Sequence, residues 1–277
     1  MLCSLKAVAL LPLALVIWSS AAFIISYGVA VLKGHVDPLL PFISDIGTTS
    51  PESCIFGFMI NISAFLGTVT IYLKFKMVKR QTETSHFISP MFNIISTIFG
   101  LVSCVGMCIV ANFQELAVPV IHDGGALLTF VCGVIYVILV TIISCKACPQ
   151  WSLFLISVIR IIISVVSYIA VVLLIVGAAL ISIINLKLNA GTKVMFCKLF
   201  GQRRYRPGGK LGGKQGSSPE PIRTVTSFWT RQRPEVQQQQ AYLIHHISAI
   251  SEWIVAFSFL LFFLTFIPEF QRWGEIT

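Results

Sequence analysis

The chain has 277 residues, of which 56% are hydrophobic and only 11% charged. A soluble globular protein usually carries about 25% charged residues, so this composition excludes an ordinary water-soluble fold. The net charge is +9, but the basic residues lie in short stretches between long apolar blocks. That arrangement indicates orientation in a lipid bilayer, and we expect the bilayer, with no nucleic acid, as the partner.

Six apolar blocks follow one another along the chain. A helix crosses a hydrocarbon core of roughly 30 Å with about 20 residues, and a segment in lipid must satisfy its own backbone hydrogen bonds. The first block is too long for a signal peptide, so we expect an uncleaved span. The predicted fold is all-α, a polytopic transmembrane helical bundle of six spans: 8–32, 55–73, 91–111, 126–144, 153–186 and 247–267.

Polar residues inside the second and third blocks are predicted to join helices. Asn61 and Ser63 belong to a glycosylation sequon, but a transferase cannot reach the interior of a span, so we expect no glycan there. Asn61, Ser63 and Asn93 are instead expected to hydrogen-bond between helices.

The loop between the third and fourth blocks carries Glu115, His122 and Asp123. A His-Asp pair suggests acid–base chemistry, but no nucleophile motif accompanies it. A polar loop that ends in a glycine turn is the simpler interpretation. We therefore predict no catalytic residue and no enzyme activity, and keep these three as candidate functional polar residues.

Cys145 and Cys148 form a CxxC just after the fourth block. The thioredoxin-like context of a redox motif is missing, and no further zinc ligands lie nearby. Palmitoylation of these two cysteines is one interpretation, and unmodified cysteines beside the membrane are the other. No metal site and no cofactor are predicted.

Arg160 lies near the start of the fifth block. It is expected to extend its guanidinium to the nearby interface, which we favour over a role in transport. No span is expected to carry the paired charges of a proton-coupled pump.

Glu252 lies about one turn into the sixth block. A carboxylate within a span suggests function, whereas a position at the interface beside Trp253 would make it an anchoring feature. His245 and His246 precede it. We put forward the hypothesis that these histidines and His122 sense pH, because an unperturbed histidine titrates near 6.5.

Seven Lys and Arg residues lie at the chain termini and in the second and fourth loops, against one in the first and third loops. The positive-inside rule then predicts that both termini are cytoplasmic. Residues 187–240 contradict this pattern, since their eleven Lys and Arg residues would face the other side.

The same stretch is rich in Gly, Pro and Gln, which is typical of disorder. We therefore divide the chain into spans 1–5 with short loops (1–188), a basic low-complexity loop (189–240) and span 6 with a short tail (241–277). The basic loop is interpreted as an insertion.

Six segments of the chain match a known family in the same order. They are Trp18–Tyr27, Asp45–Glu52, Ile55–Asn61, Ile109–Leu128, Ser251–Trp253 and Phe263–Ile267. Together they closely resemble the DNA-damage-regulated autophagy modulator (DRAM) family. The resemblance covers about 1–188 and 241–271 and departs over the basic loop.

This resemblance implies a six-span lysosomal membrane protein that promotes autophagy and links p53 signalling to cell death, with no known catalytic residue or cofactor. Membrane proteins or the autophagy machinery are the expected protein partners, and homo-oligomers are a further option. The alternative function is a small-solute transporter or channel of the lysosomal membrane, using Glu252 and Arg160.

Overall fold

A computed structural model describes residues 7–150, 152–201 and 223–276. Within these ranges the chain forms eight α-helices and no β-strand. The helices are α1 (Ala7–Lys33), α2 (Glu52–Ser85), α3 (Pro90–Asn112), α4 (Pro119–Leu127), α5 (Gly133–Ala147), α6 (Phe154–Gly201), α7 (Arg223–Leu264) and α8 (Ile267–Ile276).

Six helical segments are long and apolar enough to cross a membrane, which confirms the predicted all-α, six-span class. The fourth combines α4 and α5, and the sixth combines the C-terminal part of α7 with α8. The segments are Val8–Lys33, Glu52–Ser85, Pro90–Asn112, Pro119–Ala147, Phe154–Ile183 and Tyr242–Arg272.

The second helix is longer than its apolar block. The block ends at Leu73, but α2 continues to Ser85 because no proline or glycine interrupts it. Lys74 is one of the seven Lys and Arg residues that the sequence places at the termini and in the second and fourth loops. This placement is wrong for Lys74, which is a buried residue of α2.

The contacts divide the chain into two compact units, residues 1–174 with 249–277 and residues 175–248. The second unit contains much of the basic stretch. The structure assigns helix to residues 189–201 and 223–240, where disorder was expected. Residues 202–222 lie outside the described part of the chain, and an insertion over 189–240 stays a prediction.

In the first unit, α2 packs between α1 and α3 around two groups of buried apolar residues. One group, around Phe56 and Ile60, includes Ile46 from the short 3-10 turn Asp45–Gly47. The other, around Tyr136, includes Phe262 and Phe266.

Hydrogen bonds between helices confirm the predicted role of Asn61, Ser63 and Asn93. Asn61 and Asn112 exchange two amide hydrogen bonds of 3.2 and 3.0 Å. Asn93 donates to the Phe75 carbonyl at 3.1 Å, and Ser19 donates to Ser63 at 2.9 Å. The absence of a glycan at Asn61 stays a prediction.

The fourth span contains an irregularity that the sequence did not indicate. Residues Leu128–Cys132 form a π-helical segment between α4 and α5. The Thr129 carbonyl within it accepts a hydrogen bond of 2.8 Å from the Ser103 hydroxyl of α3. Gly106 allows this approach, because a Cβ there would lie 2.6 Å from the Thr129 nitrogen. Such π-helical turns are frequent at functional sites.

Candidate functional site

Polar residues collect at the two ends of the first unit. We call the end where α1 and α3 finish the acidic end, since Asp45, Glu115 and Glu252 lie there. We call the opposite end, where α3 and α6 begin, the basic end, since Lys79 and Lys146 lie there.

Glu252 lies at the acidic end and is only 6% exposed. Its Oε2 accepts a hydrogen bond of 2.8 Å from the backbone N–H of Ile43 in the first loop. The adjacent Trp253 indole donates to the Pro41 carbonyl at 2.9 Å. The two bonds attach the first loop to α7, although 209 residues separate Ile43 from Glu252.

A second buried carboxylate, Glu52, begins α2 at the same end. Its Oε1 lies 2.5 Å from Nδ1 of His35, while its Oε2 has no hydrogen-bond partner in the described part of the chain. Neither Glu52 nor His35 belongs to a functional motif that the sequence would single out.

The three candidates of the third loop are placed differently from one another. His122 is buried and donates through Nδ1 to the Phe113 carbonyl at 2.7 Å, whereas Asp123 is exposed. Glu115 is half-buried. Burial, followed by the negative charge of Asp45, raises the pKa of the Glu115 carboxyl above its usual range.

Glu115 and Asp45 are also the negative charges nearest to Glu252, so the structure brings these acids together. It forms no nucleophile–base pair from the described candidates. His245 and His246 belong to the second unit, and the hypothesis that they sense pH with His122 stays a prediction.

At the basic end, Arg160 is completely buried in an ion cluster. Its guanidinium donates two hydrogen bonds to the Glu269 carboxylate, at 2.8 and 3.0 Å. Lys74 donates to the same carboxylate at 2.5 Å. Arg160 also donates to the Ser144 hydroxyl and, at 2.8 Å, to the Thr265 hydroxyl.

The aromatic ring of Phe266 completes this cluster. The Arg160 guanidinium lies 5.0 Å from the ring centroid and the Lys74 ammonium 5.3 Å from it, both within cation–π range. Ser144, Thr265 and Phe266 thus surround two cations and one anion.

This arrangement corrects two predictions. Arg160 does not extend to the interface, because Glu269 and Thr265 bind its guanidinium inside the bundle. Paired charges do occur within the spans. Glu269 was missed because it follows the last apolar block, and the available signal was an acid two residues beyond that block.

A cavity of about 130 Å³ lies between the two ends. Residues from every span except the fifth line it, and most of them are apolar. Glu252 and His122 lie at one end of the lining and Tyr136 lies towards the other. Along α7 the lining extends from Glu252 to Phe263, about 16 Å of helix. The π-helical segment contributes Thr129 and Phe130.

The Tyr136 hydroxyl is buried and has no hydrogen-bond partner among the residues the structure describes. The cavity therefore offers a carboxylate at one end, a hydroxyl towards the other, and apolar walls between them. That composition suits a small, mostly apolar molecule with one polar group.

The structure forms no obvious metal or redox centre from the described residues. No three His, Cys, Asp or Glu side chains among them are placed to hold a metal ion. Cys145 is exposed at the end of α5 and Cys148 is half-buried, both as free thiols. Their palmitoylation stays a prediction.

Comparison with known proteins identifies relatives along nearly the whole chain. The family described as the Frag1/DRAM/Sfk1/Cwh43P N-terminal domain matches residues 7–273. DNA damage-regulated autophagy modulator protein 1 of Mus musculus is 50% identical over 98% of this chain and 94% of its own length. The Homo sapiens protein of that name gives the same values.

A second group of relatives is more distant. DNA damage-regulated autophagy modulator protein 2 of Homo sapiens is 35% identical over 95% of this chain and 84% of its own length. No solved structure matches the chain.

Proposed function

Because this chain belongs to the Frag1/DRAM/Sfk1/Cwh43P family, we propose that it is a multi-pass membrane protein that promotes autophagy. The observation that carries this proposal is the 50% identity to proteins named autophagy modulators over 98% of the chain. The proposal further includes a lysosomal location, a link between p53 signalling and cell death, and action without catalysis.

Two observations support a role without catalysis. Two of the candidate residues are engaged by backbone groups, since Glu252 accepts a hydrogen bond from the Ile43 N–H and His122 donates one to the Phe113 carbonyl. In addition, the loops between the first five spans are too short to hold a soluble catalytic domain. We therefore propose action through lipid or protein contacts, with other membrane proteins, the autophagy machinery or a second copy of the chain as partners.

The proposed orientation has both termini in the cytoplasm. It is supported by Lys79 and Lys146 at the basic end and by Asp45 and Glu115 at the acidic end. Accessibility tags at positions 40, 118 and 215 test it, since cytoplasmic termini require the first two tags to be on the lumenal side. The third tag determines the side of the basic loop.

The autophagy proposal is tested by re-expressing the chain at matched levels in cells that lack it. Autophagic flux is measured as turnover of a lipidated autophagosome marker with and without a lysosomal inhibitor. Flux should rise on re-expression, and DNA damage should increase expression only where p53 is present. Unchanged flux, with the protein folded and in lysosomes, would contradict the proposal.

The cavity favours a second candidate, a small-solute transporter or channel. Glu252 is a buried carboxylate on the cavity wall, and intramembrane carboxylates often mark solute or proton pathways. Proteoliposomes with a pH-sensitive dye test this candidate as a proton pathway. Flux that Glu252→Gln abolishes and Asp123→Asn preserves would support it, because Asp123 is exposed and lies outside the cavity lining.

A further inference from the structure

A second cavity, of about 600 Å³, lies at the basic end of the first unit. The last turns of α2, the connection to α3, the start of α3 and the end of α5 line it. We call it the basic groove. Its polar lining residues include Lys79, Thr82, Glu83, His86, Asn93 and Lys146.

The basic groove has a well-packed base. Val78 of α2, Ile88 of the connection and Ile143 of α5 form one buried apolar cluster, with Phe87 and Phe92 packed against it. The Asn93 amide bonds α3 to the Phe75 carbonyl of α2 beside the same groove. The walls that carry the two lysines are therefore held at a fixed separation.

Positive charge reaches the groove from three elements. Lys79 comes from α2 and Lys146 from α5, and both side chains are exposed. The third is the N-terminus of α3, where Ser89 makes no side-chain capping bond and Pro90 occupies the first turn. A helix N-terminus carries a partial positive charge that favours anions. Among the described residues that line the groove, the opposing charge is that of Glu83, which lies 4.0 Å from Lys79.

An unpaired polar group in the wall also indicates a ligand. The Thr82 side chain is about 94% buried, since its exposed fraction is 6%. Its hydroxyl has no hydrogen-bond partner among the described residues. A buried hydroxyl without a partner is costly, and an anionic oxygen in the groove would accept a hydrogen bond from it.

The surroundings favour a lipid over a free anion. Directly beyond the groove, α3 presents a column of exposed apolar side chains at helical spacing, formed by Met91, Ile94, Ile95 and Ile98. An acyl chain would lie along this column while its headgroup occupies the groove. Lys79 is also about 7.5 Å further along α2 than the buried Lys74, as expected for a residue at the level of the headgroups.

We propose that the basic groove binds an anionic phospholipid whose headgroup exposes a phosphate monoester. Such a group carries a charge of about −1.5 to −2. This negative charge balances the positive charge that the two lysines and the helix N-terminus leave after Glu83 is subtracted. Lys79 and Lys146 contact the phosphate oxygens, and the Thr82 hydroxyl donates a hydrogen bond to one of them. The site does not depend on the proposed role in autophagy.

The experiment uses the purified full-length chain in nanodiscs of phosphatidylcholine. One set contains phosphatidate, and another contains phosphatidylglycerol at the same surface charge. Native mass spectrometry counts the retained lipids. Phosphatidate should be enriched over phosphatidylglycerol, and K79Q/K146Q should weaken its retention by about tenfold or more, since each lysine near an anionic surface contributes substantially.

The matched control is K76Q/R80Q, which removes the same charge from the same region outside the groove lining. It should retain phosphatidate like the wild type, whereas E83Q should retain more. If the two double variants weaken phosphatidate retention equally, diffuse electrostatic attraction explains binding and the proposal is overturned. Retention of phosphatidylglycerol at the same level as phosphatidate would also overturn it. Displacement of the lipid by inorganic phosphate would show that the site serves a soluble anion instead.

Discussion

Arg160 and Glu269 are 109 residues apart in the chain, yet their side chains form a two-pronged, fully buried ion pair with bonds of 2.8 and 3.0 Å. Lys74 joins the same carboxylate. Two formal positive charges therefore share one negative charge inside the bundle, and this imbalance makes the consequences of the individual substitutions unequal.

The first prediction concerns that imbalance. Glu269→Gln leaves two buried cations without an anion, whereas Arg160→Met leaves the neutral pair of Lys74 and Glu269. Breaking a buried pair typically costs about 3–5 kcal/mol, and we expect Glu269→Gln to be the more destabilising change. Thermal unfolding in detergent measures both. Lys79→Gln, in an exposed pair, is the control and should change stability by less than about 1 kcal/mol. Greater loss in Arg160→Met would contradict the argument.

The second prediction concerns the contact of α3 with the π-helical segment. A Cβ at Gly106 would lie 2.6 Å from the Thr129 nitrogen and 2.7 Å from the Gly125 carbonyl oxygen, both backbone atoms that cannot move aside independently. Gly106→Ala should therefore lower stability by about 1–3 kcal/mol. Gly124→Ala, whose Cβ would meet nothing within 4 Å, is the matched control. Similar melting temperatures for the two variants would disprove the close contact.

A third prediction follows from the reciprocal amide bonds of Asn61 and Asn112. Hydrogen bonds between transmembrane helices contribute about 0.6 kcal/mol on average. A double-mutant cycle of Asn61→Ala and Asn112→Ala should show a coupling free energy of that order. Each asparagine also bonds a carbonyl of its own helix, so the single variants should lose more than the coupling alone. Strict additivity would mean that the pair is not formed.

The fourth prediction concerns pH. The folded state raises the pKa of Glu115 above its ordinary value of 4.5, through burial first and then the charge of Asp45. The folded protein therefore binds this proton more tightly than the unfolded chain does. The contribution of Glu115 to stability should be greatest at low pH, where Glu115 is protonated in both states, and should fall as pH rises from the unfolded to the folded pKa.

The titratable groups near Glu115 are Asp45 of the 3-10 turn, His122 and Asp123 of α4, and Glu252 of α7. Glu115→Gln should remove the share of the pH dependence that comes from Glu115. Melting temperatures of both proteins across mildly acidic pH provide the measurement. Parallel curves for wild type and variant would show that the Glu115 proton is not linked to folding.

The elements that were predictable from sequence depend on local composition. A block of about 20 apolar residues forms a membrane-spanning helix in lipid, so the six spans could be identified without tertiary information. Asn61 and Asn93 could be assigned to contacts between helices because an amide within such a block has few other partners. The relatives then confirmed the family that the ordered motifs had indicated.

The ion cluster could not be predicted because it depends on distant partners. An arginine six residues into a span can extend its side chain to the interface. The sequence does not show that Glu269 lies beside Arg160 and binds it inside the bundle. Lys74 directly follows an apolar block, and composition alone cannot show that α2 continues for more than two turns beyond it. The π-helical segment likewise has no proline or glycine within Leu128–Cys132 that would indicate it.

The cluster of Lys74, Arg160 and Glu269 also has an electrical consequence. Its formal charge sums to +1 within the spans, so a voltage across the membrane exerts a force on it. The electrical energy of moving one elementary charge across the whole membrane potential is about 2.3 kcal/mol per 100 mV. A charge that moves through part of the membrane near one end of the spans changes its energy by a fraction of this value. Any rearrangement that shifts the cluster along the membrane normal would therefore respond to voltage in a sealed organelle and lose that response in detergent.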